Sequence, residues 1–331
     1  MKNETPNYHI FWEKTDNQNA KILRVFSDLP IAEIPAQIAG CTVTELGSYC
    51  FAPDCRMPDK YLTADTCNPH TTVTTLCGNY LKSVRLPDFL EKIGDYAFYN
   101  CRNLSVLTCS GQLPAIGSDA FMNCHKLHQI ILTCSPMEKT CLRQILAQIS
   151  WDVEVSFLGR HDSDPQQKEA VIFYPEYYEA YDEIAPAHIF GRKIIGEGFR
   201  ARQCFDNGTI DLPQYDKIFK KAFVEESQQT LCRLAFDRLR YPYQLSDAKR
   251  TEYAEYILSH GEVLCQQLVS DKRLDDLLFL FQEKLLSQKN IQYALSLAAK
   301  TGWSEGSAAI LHWKQLCSQP HTRAKYEFDA F

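Results

Sequence analysis

The sequence predicts an α+β chain in which a solenoid with a parallel sheet precedes an all-α helical-repeat domain. A 23-residue repeat occupies the first half, apolar residues recur at helical spacing in the last third, and a polar segment separates the two. The predicted boundaries are residues 1–158 for the solenoid, 159–213 for a linker and aromatic-rich junction, and 214–331 for the helical domain.

The repeat is defined by two segments that align without a gap. They are LEKIGDYAFYNCRNLSVLTC from Leu90 and LPAIGSDAFMNCHKLHQIIL from Leu113. A degenerate copy, VTELGSYCF, lies 47 residues upstream of the first, so we expect one irregular repeat with an insertion over residues 54–80. Each unit buries its apolar face only by stacking on a neighbour, which is typical of a solenoid.

The pattern L-x-x-L-x-L predicts one short parallel strand in each turn. These strands are expected at residues 81–86, 104–109, 127–132 and 151–157. We expect Phe98 and Phe121 to stack in the core, with Cys101 and Cys124 as thiols at equivalent buried bends. The 14 cysteines follow the repeat rather than a disulfide framework, which predicts few or no disulfides.

The motifs IGDYAFYNCRNL and IGSDAFMNCHKL resemble the BspA-type leucine-rich repeat of bacteria, and the resemblance covers about residues 20–158. The stretch IAEIPAQIAGCTVTELGSYCF resembles the first repeat of that family, which often follows an N-terminal hairpin. Tyr8–Trp12 and Ile22–Phe26 fit the two strands of such a capping hairpin. The resemblance implies a leucine-rich-repeat solenoid with a binding surface rather than a reaction.

Seven segments in the last third of the chain have apolar residues at helical spacing. They are QYDKIFKKAFVEE, SQQTLCRLAFDRLR, SDAKRTEYAEYILSH, EVLCQQLVS, LDDLLFLFQEKLL, NIQYALSLAAK and EGSAAILHWKQLC. A weaker repeat relates residues 268–281 to residues 298–311 at an offset of 30. These helix–turn–helix units resemble ankyrin-like hairpins, although the ankyrin signature T-P-L-H is absent.

The x positions of L-x-x-L-x-L point away from the core and are the side chains that the sheet offers to a partner. At offset 23 they predict a face that is basic at its earlier end, apolar in the middle and acidic at its later end. Trp151 is expected either as an aromatic anchor or as a residue buried against the following domain. The predicted binding residues are Lys82, Arg85, Thr108, His128, Gln129, Ile131, Trp151 and Glu154. This mixed face suits a protein partner better than a polyanion.

We predict no metal, cofactor or catalytic site. The group Cys55, Cys67, His70 and Cys77 lacks the paired C-x2-C knuckles that are typical of a zinc site.

A second candidate site lies between residues 182 and 202, where acids, His188 and three arginines occur close together. The motif GEGFR is a lone G-x-G, and Cys204 has no nearby histidine arrangement like that of a cysteine nucleophile. We expect a polar and aromatic seam here, with Arg200 and Arg202 on one strand face and paired with acids.

The net charge of −6 disfavours nucleic acid as a partner. No apolar run approaches the roughly 18 residues of a membrane span, and the N-terminal segment lacks the apolar region of a secretion signal. The predicted function is that of a non-catalytic protein–protein interaction scaffold in the bacterial cytoplasm. Two alternatives stay open: a cell-surface or secreted adhesion module, and an enzyme that uses the His188–Arg202 region.

Overall fold

The computed structural model describes residues 6–16, 18–54, 57–66, 72–159, 167–184 and 189–318. The chain divides into two compact units. The first contains residues 1–226 and 241–245, and the second contains residues 227–240 and 246–331. This division follows compactness alone, so the three-part organisation with boundaries at residues 158 and 213 stays a prediction.

The solenoid of the first unit has about six turns and is built from short strands. In chain order they are β1 (Tyr8–Lys14), β2 (Asn19–Ser27), β3 (Ile31–Glu33), β4 (Gln37–Ile38), β5 (Cys41–Leu46), β6 (Leu62–Asp65), β7 (Thr74–Thr75), β8 (Ser83–Arg85), β9 (Lys92–Ile93), β10 (Val106–Cys109), β11 (Ala115–Ile116), β12 (Gln129–Leu132), β13 (Val153–Leu158) and β14 (Lys168–Tyr174). One wall, which we call the face sheet, has the order β3-β8-β10-β12-β13-β14. The opposite wall has the order β11-β9-β5-β2-β1-β6, with β4 and β7 paired to β5 and β2.

The parallel strands predicted for the face sheet are confirmed. β8, β10 and β12 pair in parallel at the predicted offset, with Val106 opposite both Ser83 and Gln129. The pairing of β12 with β13 has a different offset, because Gln129 pairs with Glu154, 25 residues later. The turn before β13 is therefore two residues longer than the repeat predicts. β14 then pairs antiparallel with β13 and ends the sheet.

The capping hairpin is confirmed as the antiparallel pair β1–β2. The irregular repeat expected over residues 54–80 is wrong, because Leu46 of β5 pairs directly with Ile93 of β9. β6 and β7 instead pair antiparallel with β1 and β2, so this part of the chain extends the hairpin. The insertion adds no turn to the solenoid.

The solenoid core contains a column of phenylalanines flanked by thiols. Phe98 stacks between Phe51 and Phe121 with ring centroids 5.0 and 5.3 Å apart, and all three side chains are fully buried. Cys101 Sγ donates to the Phe51 carbonyl at 3.2 Å, and Cys124 Sγ donates to the Phe98 carbonyl at 3.1 Å. Each thiol thus links its own bend to the preceding turn, which confirms the expected equivalence of the two bends. The eleven described cysteines from Cys41 to Cys265 are free thiols.

The Ile-Gly pair of the repeat marks the closest approach of adjacent turns. A Cβ on Gly117 would lie 2.5 Å from the Asp95 amide nitrogen, and one on Gly94 would lie 2.5 Å from the Ser48 nitrogen. Only glycine fits there, because backbone occupies the space of a side chain. Asparagine occurs before each core cysteine for a different reason. Asn123 adopts a left-handed φ of 64°, a conformation that asparagine tolerates.

The first face strand is closed at its outer edge by a tyrosine. Tyr8 Oη accepts a hydrogen bond from the Glu33 amide at 2.8 Å and donates one to the Ile31 carbonyl at 3.2 Å. Nearby, Arg24 is buried and donates to the carbonyls of the first bend, including those of Tyr49 and Cys50. These contacts satisfy backbone groups that a preceding turn would otherwise pair.

The last turn is closed in a similar way. Helix α1 (Leu142–Leu146) replaces a strand of the opposite wall. After it, the Gln148 amide accepts from the Phe121 nitrogen at 3.3 Å and donates to the Gly117 carbonyl at 3.0 Å. One side-chain amide therefore stands in for the backbone of a further turn.

The rest of the first unit contains small elements that follow β14. These are the antiparallel pair β15 (Tyr178–Ile184) and β16 (Ile189–Ile195), helix α2 (Gly198–Ala201), the pair β17 (Phe205–Asp206) and β18 (Thr209–Ile210), and helix α3 (Leu212–Glu225). Asp211 caps α3 by accepting from the Gln214 amide at 2.9 Å.

The second unit is all-helical within the described residues, as predicted. Its helices are α4 (Gln228–Arg240), α5 (Asp247–Ser259), α6 (Gly261–Ser270), α7 (Leu274–Gln282), α8 (Gln288–Lys300) and α9 (Ser304–Ser318). Successive pairs pack as hairpins, and their first helices contact one another in the order α4, α6, α8. Ser246 and Ser287 cap α5 and α8, and Gly302, with a φ of 70°, turns the chain between α8 and α9.

Candidate protein-binding face

The structure places most of the predicted binding residues on the outer surface of the face sheet or in the turns before its strands. Lys82, Arg85 and His128 are exposed, whereas Gln129, Ile131, Trp151 and Glu154 are half-buried. Thr108 is the exception.

Thr108 is 5% exposed, which corrects its prediction as a contact residue. It lies in the middle of the sheet, with Arg85 on one side and Ile131 on the other at the same register. Side chains at one register position project side by side from neighbouring strands. The short threonine is therefore shielded between two longer neighbours.

The register shift at β13 also changes which predicted residues are neighbours. Two rows run across the face sheet: Ser83, Val106, Gln129 and Glu154 form one, and Arg85, Thr108, Ile131 and Ser156 form the other. Glu154 thus lies beside Gln129, not beside Ile131 as the offset of 23 predicts. Trp151 precedes β13 and is not opposite His128.

Trp151 is held in place rather than freely displayed. Its Nε1 donates to the Leu127 carbonyl at 2.8 Å, and the His125 ring packs edge-on against its indole at 5.1 Å between ring centroids. The side chain is half-buried, so one part packs on the turn and the remainder is exposed.

The acidic end of the predicted face is partly neutralised. Glu154 Oε1 lies 3.5 Å from Lys168 Nζ on the neighbouring strand β14. Beyond this pair, the outward residues of β13 and β14 are covered, since Ser156, Val171 and Phe173 are buried. The accessible part of the face sheet therefore extends from β3 to β12.

Sequence reasoning missed several exposed residues that border this face. Arg102, His125 and Lys126 lie in the turns that precede β10 and β12, and Ile31 and Glu33 project from β3. Arg102 and His125 are 23 residues apart, so the repeat offset contained the signal.

The arginines of the 182–202 segment have structural contacts, which corrects their prediction as a strand-face pair. Arg200 lies in α2 and pairs with Glu197, and Arg202 follows that helix. Arg202 is buried and donates to the carbonyls of Ile149 (3.1 Å), Trp151 (2.7 Å), Gly198 (3.0 Å) and Pro175. Burial lowers its pKa to about 10, so the guanidinium stays cationic at neutral pH.

The other candidate chemistry falls largely outside what the structure describes. His188, Cys55, Cys67 and His70 lie outside the described residues. In the described part of the chain, no group of three histidine, cysteine or acidic side chains has the geometry to hold a metal ion. Burial raises the pKa of the Cys204 thiol to about 12, which disfavours the nucleophilic thiolate at neutral pH.

No described helix combines the length and apolar character needed to cross a bilayer.

Comparison with known proteins gives a family match for the repeat. Residues 74–148 match the model of the BspA type Leucine rich repeat region. Two solved structures are similar over 37% of this chain: a leucine rich cell surface protein from Faecalibacterium prausnitzii (24% identity, TM-score 0.23, 34% of that chain) and a leucine rich repeat protein from T. pallidum (20% identity, TM-score 0.22, 67% of that chain). The match thus spans about a third of the Faecalibacterium protein. The curated proteins contain no match.

Leucine-rich-repeat proteins are commonly protein-binding scaffolds or surface proteins, and the family match indicates no catalytic function. Residues 74–148 are thus similar to the BspA type Leucine rich repeat region, and they lie within a β-solenoid of about six turns.

Proposed function

We propose that this chain is a non-catalytic protein–protein interaction scaffold of a bacterium and that it holds its partner on the face sheet. The supporting observation is a strip of outward side chains across β8, β10 and β12, namely Ser83, Arg85, Val106, Gln129 and Ile131. The strip combines charged, polar and apolar groups on a backbone fixed by parallel hydrogen bonding, as protein interfaces require.

The closed ends of the solenoid support the same choice of surface. A strand with unpaired backbone groups is an alternative place for a peptide to add. On β3 those groups are already bonded to Tyr8 Oη, and beyond β13 the position is taken by β14. These contacts favour binding through the side chains of the face sheet over strand addition at β3 or β13.

We assign Lys82, Arg85, His128, Gln129 and Ile131 to the binding face. Trp151 and Glu154 lie at its border, where each already has a partner within the chain.

The test is a capture experiment with two matched variants. Arg85→Ser, Gln129→Ala and Ile131→Ser are combined in one face variant, and Glu91→Ser with Lys92→Ser serve as a control on the opposite wall, where both residues are exposed. We expect wild type and the control variant to capture the same partner in chemical cross-linking. The face variant should fail to capture it. Both variants should stay folded at the assay temperature, which a thermal melt checks, because the substituted side chains lie on outer surfaces and the buried positions are unchanged. Retention of the partner by the face variant would refute the proposal.

We place this function in the cytoplasm, and the second candidate is a cell-surface or secreted adhesion module. The core thiols of Cys101 and Cys124 act as hydrogen-bond donors, a role that needs their reduced form and suits a reducing compartment. The resemblance to BspA-type repeats supports the surface alternative. Protease treatment of intact cells separates the two, since degradation of the full-length protein occurs only if it is outside.

We further propose that the second unit is an ankyrin-like repeat array. Its hairpins begin at Gln228, Gly261 and Gln288, and the first of the two spacings equals the 33 residues of ankyrin repeats, whereas the second is six residues shorter. Deletion of the last hairpin, residues 288–318, should destabilise the unit progressively rather than abolish its helicity, as nearest-neighbour stacking predicts. Complete loss of helical circular dichroism from this unit would contradict the proposal.

A further inference from the structure

One border of the face sheet carries a row of cationic and imidazole side chains, which we call the basic rim. Its members occupy the turns just before β8, β10 and β12, and all of them are exposed: Lys82, Arg102, His125, Lys126 and His128. Lys82 and His128 hold the same position in turns two repeats apart, and Arg102 and His125 hold equivalent positions in adjacent turns. Because neighbouring strands are about 4.8 Å apart, these side chains lie close together on three successive turns, although they occupy three different positions of the turn.

Within the described part of the chain, the cations of the basic rim form no ion pair. Among the described residues, no carboxylate lies within 4 Å of Lys82 or Arg102, and Lys126 Nζ contacts the neutral Asn103 Oδ1 at 2.9 Å. Two acids lie at the extremities of this border and are already bonded: Asp28 accepts from Asn7, and Asp152 accepts from the Glu176 amide at 2.6 Å.

Acidic residues lie instead beyond the other ends of the strands. Asp88 is exposed in the turn after β8, and Glu138 follows β12. The two borders of the face therefore differ in charge, one being basic and the other acidic. The change of charge along the stack of repeats stays a prediction.

We propose that the basic rim binds an acidic, extended peptide segment of the protein partner. This inference rests on the proposed function and names the chemistry that the partner brings to it. Carboxylates spaced along an extended chain can each meet a cation on a successive turn, and the neutral hydrogen-bonding groups of Asn103 and Ser105 lie among these cations. Trp151, half-buried at the end of the row, offers apolar surface to a side chain next to the acids.

A nucleic acid fits this surface less well. Three permanent cations lie in the basic rim, and the chain as a whole has a net charge of −6. Phosphate backbones are bound by larger clusters of lysine and arginine on a domain of positive charge.

The experiment measures fluorescence polarisation of a labelled 12-residue peptide of alternating glutamate and threonine with the full chain. The rim variant combines Lys82→Glu, Arg102→Glu and Lys126→Glu. The control variant combines Lys217→Glu, Lys220→Glu and Lys221→Glu on the exposed side of α3, so that its charge changes equally. We expect the rim variant to weaken binding by about tenfold or more and the control variant by less than about threefold, because screened long-range charge effects are small. A peptide of alternating lysine and threonine should not bind the wild type.

Equal weakening by both variants would show that bulk charge alone drives binding, and it would overturn the inference. Tighter binding of a 12-nucleotide oligothymidine than of the acidic peptide would do the same. Capture of the native partner by the face variant and the rim variant distinguishes this inference from the proposed function. If the face variant loses the partner while the rim variant retains it, the scaffold function stands and the acidic-segment inference fails.

Discussion

Replacing Arg202 with methionine tests how the last turn of the solenoid is closed. Its guanidinium donates to four backbone carbonyls, and the bonds to Ile149, Pro175 and Gly198 are fully buried. The rings of Tyr174 and Tyr177 lie 5.9 and 5.1 Å from its central carbon and add cation–π contacts. A methionine side chain keeps much of the apolar volume but donates no hydrogen bond, so the backbone amide at position 202 is the one donor that remains, to the Gly198 carbonyl.

The expected loss follows from those carbonyls. A buried acceptor without a donor costs about 1–3 kcal/mol. The Gly198 carbonyl keeps the hydrogen bond from the Arg202 backbone amide, so the carbonyls of Ile149 and Pro175 are the two buried groups that lose their donor. Two such groups cost about 2–6 kcal/mol, and we expect a loss of roughly 2–4 kcal/mol because local relaxation limits the upper end. The fourth carbonyl, that of Trp151, is only part-buried, so water can replace the arginine there.

Urea denaturation of the full chain, followed by tryptophan fluorescence, measures this loss. Arg143→Met is the matched control, because Arg143 is exposed in α1 and its replacement should change stability by less than about 0.5 kcal/mol. A loss of less than about 1 kcal/mol for Arg202→Met would show that the carbonyls find other donors, and the closing role would then be wrong.

Three further outcomes are expected. Phe121→Ala should lower the free energy of unfolding by about 3–5 kcal/mol by leaving a cavity in the phenylalanine column, and a denaturation curve like that of wild type would contradict this. Gly117→Ala should lower the melting temperature by several degrees, because its Cβ would lie 2.5 Å from the Asp95 nitrogen; an unchanged melt would mean that the turns separate freely. Burial raises the pKa of the Glu226 carboxyl, so folding favours its protonated form, and this stability is lost as pH rises above the unfolded value. Glu226→Gln keeps an acceptor for the Glu197 amide and should therefore melt higher than wild type at pH 7 but not at pH 4; an equal gain at both values would exclude this cause.

The repeat predicted the core and the strand pairing because both depend on spacing. Phe98, Phe121, Cys101 and Cys124 recur at one offset, and equivalent positions in a solenoid must lie on top of one another. The same logic failed at β13. Helix α1 occupies the turn before it, and a helical segment crosses the wall with a different number of residues from a strand.

Features that depend on a single tertiary contact left no periodic signal. Arg24 and Arg202 bond to backbone carbonyls from distant parts of the sequence, and no motif surrounds either residue. Tyr8 likewise closes the edge of β3 through one hydroxyl oxygen. Thr108 has the predicted orientation, but its burial depends on the size of its neighbours rather than on the direction of its side chain.

The closed ends have a consequence for the candidate site. In an open solenoid another turn can stack at either end, so the length of the binding surface is not defined. Here Tyr8 occupies the hydrogen-bonding positions outside β3, and β14 runs antiparallel where a further parallel strand would lie. Because β14 and the outward side of β13 are covered, the accessible face has the width of four strands, about 15 Å from β3 to β12. A partner segment that crosses this face therefore meets the basic rim at three of its four strands, β8, β10 and β12, which is why three charge reversals in the rim should weaken its binding.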